Sequence, residues 1–454
     1  MKNMSLKAIS AAVGGVYIGD DAAYHQVITG VETDSRNISA GNLYIALPGA
    51  RVDGHDFIEQ AIAAGALVAL SEKKIENATF PYIHVTSCLN AMQALARYYR
   101  QQLNIKVVGI TGSVGKTSTK EMVASVLSQQ FKVLKTAGNH NNEIGLPLTI
   151  FRIREEHQIA VLEMGIDDFG DMKTLALIAQ PDICLLTNIG VAHIEQLKTR
   201  DGILQEKSDM INYMNPQGAV ILNGDDDKLI TIRPKNGLKP IYFGLDSQFP
   251  FWATLTENLG LSGTRAAYHT PFSEFSAHIA IPGEHMIYNA LAAIAVAYEF
   301  AMDDANIVKG IEALAPLAGR NNMIHTSRYT IIDDCYNANP FSMKASLQVL
   351  NQAQTRKVAI LGDMGELGEN KKAMHKQVGR YVKDLDIDVL IAIGTLATEM
   401  VAGAKEKSTL EIHYYETKEE ALDNLSQLLT IQDTILVKAS NAMGFSEIEA
   451  YLQK

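Results

Sequence analysis

The chain has 454 residues, of which 47% are hydrophobic and 20% are charged, and its formal net charge at pH 7 is −11. This length predicts two to four domains, and the composition excludes an intrinsically disordered chain. The negative charge excludes nonspecific nucleic-acid binding, because no global positive field would attract phosphate backbones.

Cysteine usage and hydropathy indicate where the protein works. The cysteines are far apart and form no CxxC motif: Cys88, Cys184 and Cys335. This pattern indicates a reducing compartment, so we expect a cytoplasmic protein. Leu6, Ile9 and Val13 recur at helical spacing, which predicts an amphipathic helix rather than a signal peptide. No run approaches about 20 uninterrupted apolar residues, so no membrane span is expected.

The first predicted domain, residues 1–86, is a small mixed α/β unit. Strand-like runs at 41–48 and 66–70 flank a helical stretch at 57–65, and a helix at 88–103 leads onward. The central domain, predicted at 87–316, alternates helical stretches with short apolar runs at 106–110, 159–162, 183–186 and 219–222. Such alternation predicts a parallel sheet covered on both faces.

The remaining elements complete a three-domain α/β prediction. Residues 252–281 have strand-like composition and predict an antiparallel addition, followed by an alanine-rich helix at 284–300. The alternation restarts in a C-terminal domain, predicted at 317–454, with strands at 329–332, 357–361, 389–393 and 434–438. Helical stretches between these strands predict a Rossmann-like, doubly wound sheet.

The sharpest local motif is a glycine-rich turn between the strand at 106–110 and a helix from Thr117. It reads Gly109-Ile-Thr-Gly-Ser-Val-Gly-Lys-Thr-Ser118, a variant of the P-loop whose first glycine is displaced to Gly112. Backbone N–H groups and a helix N-terminus converge on phosphate in such a turn. Lys116 would reach the outer phosphates, and the Thr117 hydroxyl would bind magnesium. The alternative is a tight turn without a ligand.

A nucleotide site alone leaves kinases, switches, motors and ligases open. A guanine-specific switch carries Asn-Lys-x-Asp, but Asn370-Lys371 is followed by Lys372 and Ala373. Glu163 directly follows a predicted strand, so its carboxylate would face the ligand crevice and suit a magnesium ion; the alternative is a surface or capping acid. His193 follows the next strand and is either a ligand or an ordinary packed histidine. Composition alone leaves Lys207 as an exposed helical lysine.

Seven segments together resemble the Mur ligases over almost the whole chain. They are 109–118, Gly138-Asn-His-Asn-Asn-Glu-Ile-Gly-Leu-Pro147, Leu162-Glu-Met-Gly165, Ala192-His-Ile-Glu195, Glu206-Lys207, Asp333-Asp-Cys-Tyr-Asn-Ala-Asn-Pro340 and Gly362-Asp-Met-Gly-Glu-Leu-Gly368. The second and sixth segments are similar to those of the branch that joins D-alanyl-D-alanine to UDP-N-acetylmuramoyl-tripeptide.

The resemblance implies a two-step reaction. ATP would phosphorylate a substrate carboxylate to an acyl phosphate, and the amine of the dipeptide would then displace phosphate through a tetrahedral intermediate. One or two magnesium ions are implied, with Thr117, Glu163, His193 and Lys207 as ligands. Lys207 would act after CO2 had converted it to a carbamate, which requires a neutral amine. Catalysis is thereby assigned to Lys116, Glu163, His193 and Lys207.

The resemblance also implies the substrate contacts. The predicted ATP-binding residues are Gly112, Ser113, Gly115, Lys116, Thr117, Ser118, Asn289, Arg320, Asp334 and Asn337. The predicted contacts of the UDP-linked substrate are Asp34, Ser35, Arg36, Arg51, Asp53, Gly54, His55, Asn139 and Asn142. Arginine suits a diphosphate, but Arg36 and Arg51 could instead be solvated surface charges. For Asn337 and Asn339, turn chemistry alone is the alternative.

Two positions depart from patterns common in this branch. Asn441 stands where many relatives carry an arginine, and Met286 replaces a frequent asparagine. The alternatives are an amide ligase with another acceptor, such as one of folylpolyglutamate type, and a nucleotide-binding regulator without catalysis. The regulator predicts damage to Lys116, Glu163 or Lys207, and all three are present. A monomer is expected.

Overall fold

The computed structural model describes residues 1–49, 51–233, 237–405 and 409–454. These residues form three β-sheets with helices packed against them, in a mixed α/β architecture of three domains. The α/β prediction is confirmed. The boundaries predicted at 86 and 316 stay predictions.

The first domain contains a sheet of short strands in the order β1-β5-β4-β3-β2. The strands are β1 (Val16–Ile18), β2 (Val31–Glu32), β3 (Leu43–Ile45), β4 (Val68–Ser71) and β5 (Tyr82–His84). Strands β2 to β5 pair in parallel, and β1 is antiparallel to β5. The helices are α1 (Leu6–Val13), α2 (Ile58–Ala63) and α3 (Cys88–Gln101). The predicted amphipathic helix is α1, whose Leu6 and Ile9 are buried.

The central sheet has the order β14-β13-β12-β11-β10-β9-β6-β8-β7. Its strands are β6 (Lys106–Thr111), β7 (Val133–Lys135), β8 (Ile159–Glu163), β9 (Ile183–Leu186), β10 (Ala219–Asn223), β11 (Ile241–Gly244), β12 (Phe251–Asn258), β13 (Thr264–His269) and β14 (Glu274–Ile279). Strands β6 to β12 pair in parallel. The predicted antiparallel addition is confirmed, because β13 pairs antiparallel with both β12 and β14.

Helices cover both faces of the central sheet. They are α4 (Lys116–Leu127), α5 (Gly145–Phe151), α6 (Asp171–Ala179), α7 (Ile194–Leu197), α8 (Arg200–Ser208), α9 (His285–Glu299) and α10 (Asp304–Glu312). Val107 of β6 belongs to one apolar core, whereas Val108 and Ile110 belong to the core on the opposite face. Since both faces are buried, the apolar runs are continuous rather than alternating.

The C-terminal sheet has the order β15-β16-β20-β17-β18-β19. Its strands are β15 (Asn322–His325), β16 (Thr330–Asp333), β17 (Lys357–Gly362), β18 (Val389–Ile393), β19 (Glu411–Tyr415) and β20 (Thr434–Lys438). Its helices are α11 (Pro340–Leu350), α12 (Lys371–Asp384), α13 (Ala397–Ala404), α14 (Lys418–Leu428) and α15 (Ser446–Leu452). Apart from β15, these strands run parallel, as the Rossmann-like prediction requires.

The topology brings the ends of neighbouring strands together. In the central sheet β6 lies between β8 and β9, so the loops after these strands share one edge. In open α/β sheets that edge forms the ligand crevice. No helix in the described parts of the chain is both long enough and apolar enough to cross a bilayer.

Candidate active site

The glycine-rich turn connects β6 to α4, as predicted. At Gly112 a Cβ atom would lie 2.0 Å from Oγ1 of Thr187, so only glycine fits this approach. Gly115 has a φ of +83° and immediately precedes α4, a conformation that disfavours residues with a Cβ. The two glycines therefore shape a turn that opens directly into a helix N-terminus.

Asn188 holds this turn in place, although the sequence did not single it out. Its backbone oxygen accepts a hydrogen bond from the amide of Ser113 at 2.9 Å. Its Oδ1 accepts one from the amide of Val114, and its Nδ2 donates one to the Val114 carbonyl, both at 2.9 Å. The available signal was its position just after β9. The amides of Ser113 and Val114 are thus engaged, which leaves the start of α4 to bind an anion.

Lys116 and Thr117 begin helix α4. The Nζ of Lys116 donates a hydrogen bond to the carbonyl of Gly112 at 2.9 Å. Burial lowers the pKa of Lys116, and the negative charge of Glu163 opposes this shift. The hydroxyl of Thr117 donates to Oε1 of Glu163 at 3.2 Å and accepts from Nη2 of Arg320 at 3.4 Å. The carboxylate of Glu163 therefore lies at the N-terminus of α4 together with the polar groups of Lys116, Thr117 and Arg320.

Glu163 is the last residue of β8 and is 2% exposed. Its Oε1 also accepts a hydrogen bond from Nδ2 of Asn141 at 2.8 Å. Its Oε2 makes no hydrogen bond within the described ranges and lies 3.8 Å from Nζ of Lys120. A buried carboxylate oxygen without a hydrogen-bond donor suits a cation ligand.

Lys207 lies in α8 and is completely buried, so the interpretation as an exposed helical lysine is wrong. Its Nζ makes no hydrogen bond with any residue that the structure describes. Burial lowers the pKa of Lys207 well below its ordinary value, and the positive charge of Lys116 lowers it further. These shifts favour a neutral, nucleophilic amine.

His193 connects two domains. It adopts a left-handed conformation, with a φ of +61°, just before α7. Its Nδ1 lies 2.9 Å from Oε2 of Glu366, in the C-terminal domain, and 3.2 Å from Oδ1 of Asp167. The contact with His193 lowers the pKa of Glu366. His193 is therefore held between acidic side chains at the domain boundary.

A cavity of about 450 Å³ lies between the central and C-terminal domains. Of the predicted ATP-binding residues, five line it: Gly115, Ser118, Asn289, Arg320 and Asp334. Gly112, Ser113, Lys116 and Thr117 form the adjoining turn. The lining residues that were not predicted as contacts include Asn188, His285, Asn321 and Lys438. The lining therefore extends the predicted set toward the segment that joins the two domains.

Asn289 and Asp334 both have partners within the protein. Oδ1 of Asn289 accepts a hydrogen bond from the Thr119 hydroxyl at 2.9 Å, and its Nδ2 lies 3.3 Å from the sulfur of Met286. Asp334 is paired with Lys438, which is 2% exposed. Burial lowers the pKa of Lys438, and the charge of Asp334 opposes that shift. The pair ties β20 to the loop after β16.

Two predicted asparagines serve local turns. The side chain of Asn337 is exposed, and its Oδ1 accepts a hydrogen bond from the amide of Ala338 at 2.9 Å. Asn339 caps α11 through a reciprocal hydrogen-bond pair with Ser342. The structure places both in turns and does not place Asn337 among the residues lining the cavity. A contact between Asn337 and ATP stays a prediction.

The residues predicted to bind the UDP-linked substrate lie mainly in the first domain. Asp34 pairs with Arg36 at 2.6 Å, and this contact lowers the pKa of Asp34 to about 2. Asp53 contacts Lys73 at 2.7 Å and His55 at 2.6 Å. All three of these ion pairs join residues of the first domain. Ser35 is buried, Arg51 is exposed and Gly54 is partly exposed.

The side chains of Asn139 and Asn142 are exposed in the loop before α5. Oδ1 of Asn142 accepts a hydrogen bond from the amide of Gly145 at 2.9 Å. Asn141, between them, is the residue that contacts Glu163, and the prediction did not include it. The Asn-x-Asn-Asn pattern at 139–142 indicated this loop but not which side chain points toward the site.

No three His, Cys, Asp or Glu side chains within the described residues form a ready-made metal cluster. A magnesium site here would therefore depend on Glu163, on the Thr117 hydroxyl and on further ligands. Chemical conversion of Lys207 to an anion would add one. The buried Oε2 of Glu163 and the buried amine of Lys207 make no hydrogen bonds with the described part of the chain, which is consistent with this arrangement.

Three family models match successive parts of the chain. They are the Mur ligase family catalytic domain at residues 27–100, the Mur ligase middle domain at 110–297 and the Mur ligase glutamate ligase domain at 319–441. The UDP-N-acetylmuramoyl-tripeptide–D-alanyl-D-alanine ligase of Bacillus subtilis is 36% identical, over 99% of this chain and 98% of that protein. The Escherichia coli ligase of the same name is 32% identical, over 100% and 99%.

Solved structures show the same similarity in three dimensions. MurF from Acinetobacter baumannii has a TM-score of 0.90 and 33% identity, covering 99% of this chain and 98% of that chain. MurF from Thermotoga maritima in complex with ADP has a TM-score of 0.82 and 28% identity, covering 93% and 97%. Folylpolyglutamate synthase from Mycobacterium tuberculosis, at 15% identity and a TM-score of 0.65, shares the fold alone.

Proposed function

The chain belongs to the Mur ligase family, and we propose on that basis that it joins D-alanyl-D-alanine to UDP-N-acetylmuramoyl-tripeptide in an ATP-dependent reaction. The observation that carries the proposal is end-to-end similarity to ligases of this name, which reaches 36% identity over 99% of the chain. The contacts among Lys116, Thr117 and Glu163 supply the matching chemistry. The reaction forms an amide bond and releases ADP and phosphate.

The nucleotide lies along the N-terminus of α4, with its base toward the cavity. Gly112, Ser113 and Gly115 shape the turn, and the first amides of α4 donate to phosphate oxygens. Lys116 exchanges its hydrogen bond with the Gly112 carbonyl for one with the outer phosphates. Arg320 contacts Thr117 across the domain boundary, so its charge arrives only when the two domains are together.

Magnesium fits beside Glu163, whose buried Oε2 accepts no hydrogen bond from any residue that the structure describes. The residues that would hold one or two ions are Thr117, Glu163, His193 and the carbamate of Lys207. When bound, magnesium offsets phosphate charge. The neutral amine favoured at Lys207 adds to the carbon of CO2, and loss of one proton leaves the anionic carbamate.

The first chemical step transfers the γ-phosphoryl group to the substrate carboxylate. Positioning and electrostatics supply most of the catalysis in such transfers. Lys116 and Arg320 offset the negative charge as the bond to ADP breaks and the bond to the carboxylate forms. The dipeptide amine then attacks the acyl carbon, and collapse of the tetrahedral intermediate expels phosphate and leaves the amide.

The uridine end of the substrate binds the first domain in this proposal. Arg36 and Arg51 are exposed and suited to a diphosphate, and Asp34 orients Arg36 through a charge-assisted hydrogen bond. Asp53, Gly54 and His55 form a neighbouring turn, and Ser35 follows Asp34. Asn139 and Asn142, in the loop between β7 and α5, are the remaining contacts proposed for the UDP-linked substrate.

We place the reaction in the cytoplasm and expect a monomer. All three cysteines are free, which suits a reducing compartment. The folylpolyglutamate-type alternative is disfavoured, because the likeness to that synthase is limited to the fold. Sedimentation of the purified protein at several concentrations tests the monomer.

The decisive experiment measures phosphate release with ATP and magnesium. UDP-N-acetylmuramoyl-tripeptide is supplied with and without D-alanyl-D-alanine, and the product is identified by mass. We expect release only with both substrates, together with a product that carries the added dipeptide. Nucleotide binding without release under any condition would instead favour a regulator. Incubation with ¹³C-labelled bicarbonate should add a carbamate signal that is absent from Lys207→Arg.

A further inference from the structure

One asparagine of the cavity has an unused polar atom. Asn321 is 7% exposed and lines the cavity, and its Oδ1 makes no hydrogen bond with any described residue. Among the described side chains that line the cavity, no other buried oxygen or nitrogen atom is left without a partner in this way. An unpaired buried acceptor destabilises the protein, so a ligand that supplies a donor removes this cost.

The surroundings of Asn321 fix the direction of its side chain. Its backbone amide donates to Oδ1 of Asp334 at 3.2 Å, and its Nδ2 lies 3.3 Å from Nε2 of His285. Burial lowers the pKa of His285, which favours a neutral ring, and in the tautomer protonated at Nδ1 the Nε2 atom accepts from Nδ2. With Nδ2 directed toward His285, Oδ1 is the atom left for a ligand.

The backbone of Asn321 is also unusual. Its φ is +49°, in the left-handed region that asparagine tolerates better than most residues. Asn321 directly follows Arg320, whose guanidinium contacts Thr117 on the phosphate side. Asn321 instead lies beside His285, which precedes Asn289 by one turn of α9.

The side chain of Asn289 is less available to bind adenine than the resemblance to the Mur ligases implies. The Thr119 hydroxyl occupies its Oδ1, and the sulfur of Met286 lies 3.3 Å from its Nδ2. Met286 occupies the position where relatives frequently carry an asparagine, so this chain lacks a polar amide there. Among the described residues, both polar atoms of Asn289 therefore have partners, whereas Oδ1 of Asn321 has none.

We propose that Asn321 is a specificity-determining residue whose Oδ1 accepts a hydrogen bond from the 6-amino group of adenine. The inference rests on the proposed function, in which ATP is the nucleotide. Guanine carries a carbonyl oxygen at the same position, which would oppose Oδ1 and leave both acceptors unpaired. The other donors that a nucleoside offers are the ribose hydroxyls, and the experiment separates them from the amino group.

The test measures dissociation constants by calorimetry on the full chain with magnesium. The ligands are ATP, purine riboside 5′-triphosphate, which lacks the amino group, and the 2′-deoxy and 3′-deoxy forms of ATP. We expect wild type to bind purine riboside triphosphate about 10-fold to 100-fold more weakly than ATP. Asn321→Ala should lose the same factor with ATP and should no longer discriminate between the two ligands.

The adjacent Asn322 provides the matched control, because it begins β15 and does not line the cavity. Asn322→Ala should keep the wild-type ratio. Equal binding of ATP and purine riboside triphosphate by wild type overturns the inference without requiring a variant. An Asn321→Ala variant that loses only its preference for a ribose hydroxyl also overturns it. If wild type binds no nucleotide at all, the proposed function itself has failed.

Discussion

Replacement of Asn188 by alanine should weaken nucleotide binding by up to about 30-fold. Asn188→Ala removes the hydrogen bond that Oδ1 accepts from the amide of Val114 and the one that Nδ2 donates to its carbonyl. Thr187 still donates to that carbonyl at 2.7 Å, but the amide loses its partner. Because ATP binding would then have to order the turn, affinity should fall by at most the contribution of the two hydrogen bonds, which is about 2 kcal/mol or about 30-fold.

Calorimetry of ATP binding, combined with thermal unfolding, checks this expectation. Asn215→Ala is the matched control, because Asn215 also makes two side-chain hydrogen bonds, to Asp182 and Gln217, away from the phosphate turn. Both variants should lose similar stability, whereas only Asn188→Ala should bind ATP poorly. Affinity within twofold of wild type would refute the view that Asn188 positions the turn.

Three further predictions concern other parts of the molecule. Lys207→Arg keeps a positive charge but cannot form the carbamate, so kcat should fall at least about 100-fold in steady-state kinetics. Calorimetry should show that ADP still binds to this variant. Burial lowers the pKa of His375 below 6.5, and Nε2 accepts from the amide of Met364. The unfolded state then binds the proton more readily, so unfolding free energy should fall as pH drops below about 6.5, and His375→Gln should flatten this dependence in denaturant titrations. A Cβ at Gly310 would lie 2.4 Å from the Cα of Val126, so Gly310→Ala should lower the free energy of unfolding by about 1–3 kcal/mol. An unchanged melting temperature would contradict the packing of α10 on α4.

The parts of the site that could be predicted are those whose residues lie close together in the sequence. The glycine-rich turn and Glu163 both follow apolar strands, and the carboxyl ends of parallel strands meet at one edge. Asn188 could be assigned only once β9 was known to lie beside β6, since its partner Val114 is 74 residues away. The burial of Lys207 is equally a matter of tertiary packing, because the sequence of α8 is mostly polar.

The fold was predictable where the periodicity was strong. The long apolar strands of the central and C-terminal sheets appeared at the expected positions. Two-residue and three-residue strands such as β2 and β7 carry too few residues to show a period. Sequence patterns also do not show which way a side chain points within an asparagine-rich loop. Asn141 contacts Glu163, whereas Asn337 forms a hydrogen bond within its own turn.

The order in which the ribosome makes these residues has a consequence for folding in the cell. Thr119 meets Asn289 and Thr117 meets Arg320, contacts that span 170 and 203 residues. A nascent chain therefore carries its phosphate turn long before the residues that close the cavity exist. Since domains fold largely in order of synthesis, early capture of nucleotide would be weak. Tight binding then becomes possible only when the C-terminal domain docks, and the bound nucleotide stabilises the docked form by mass action.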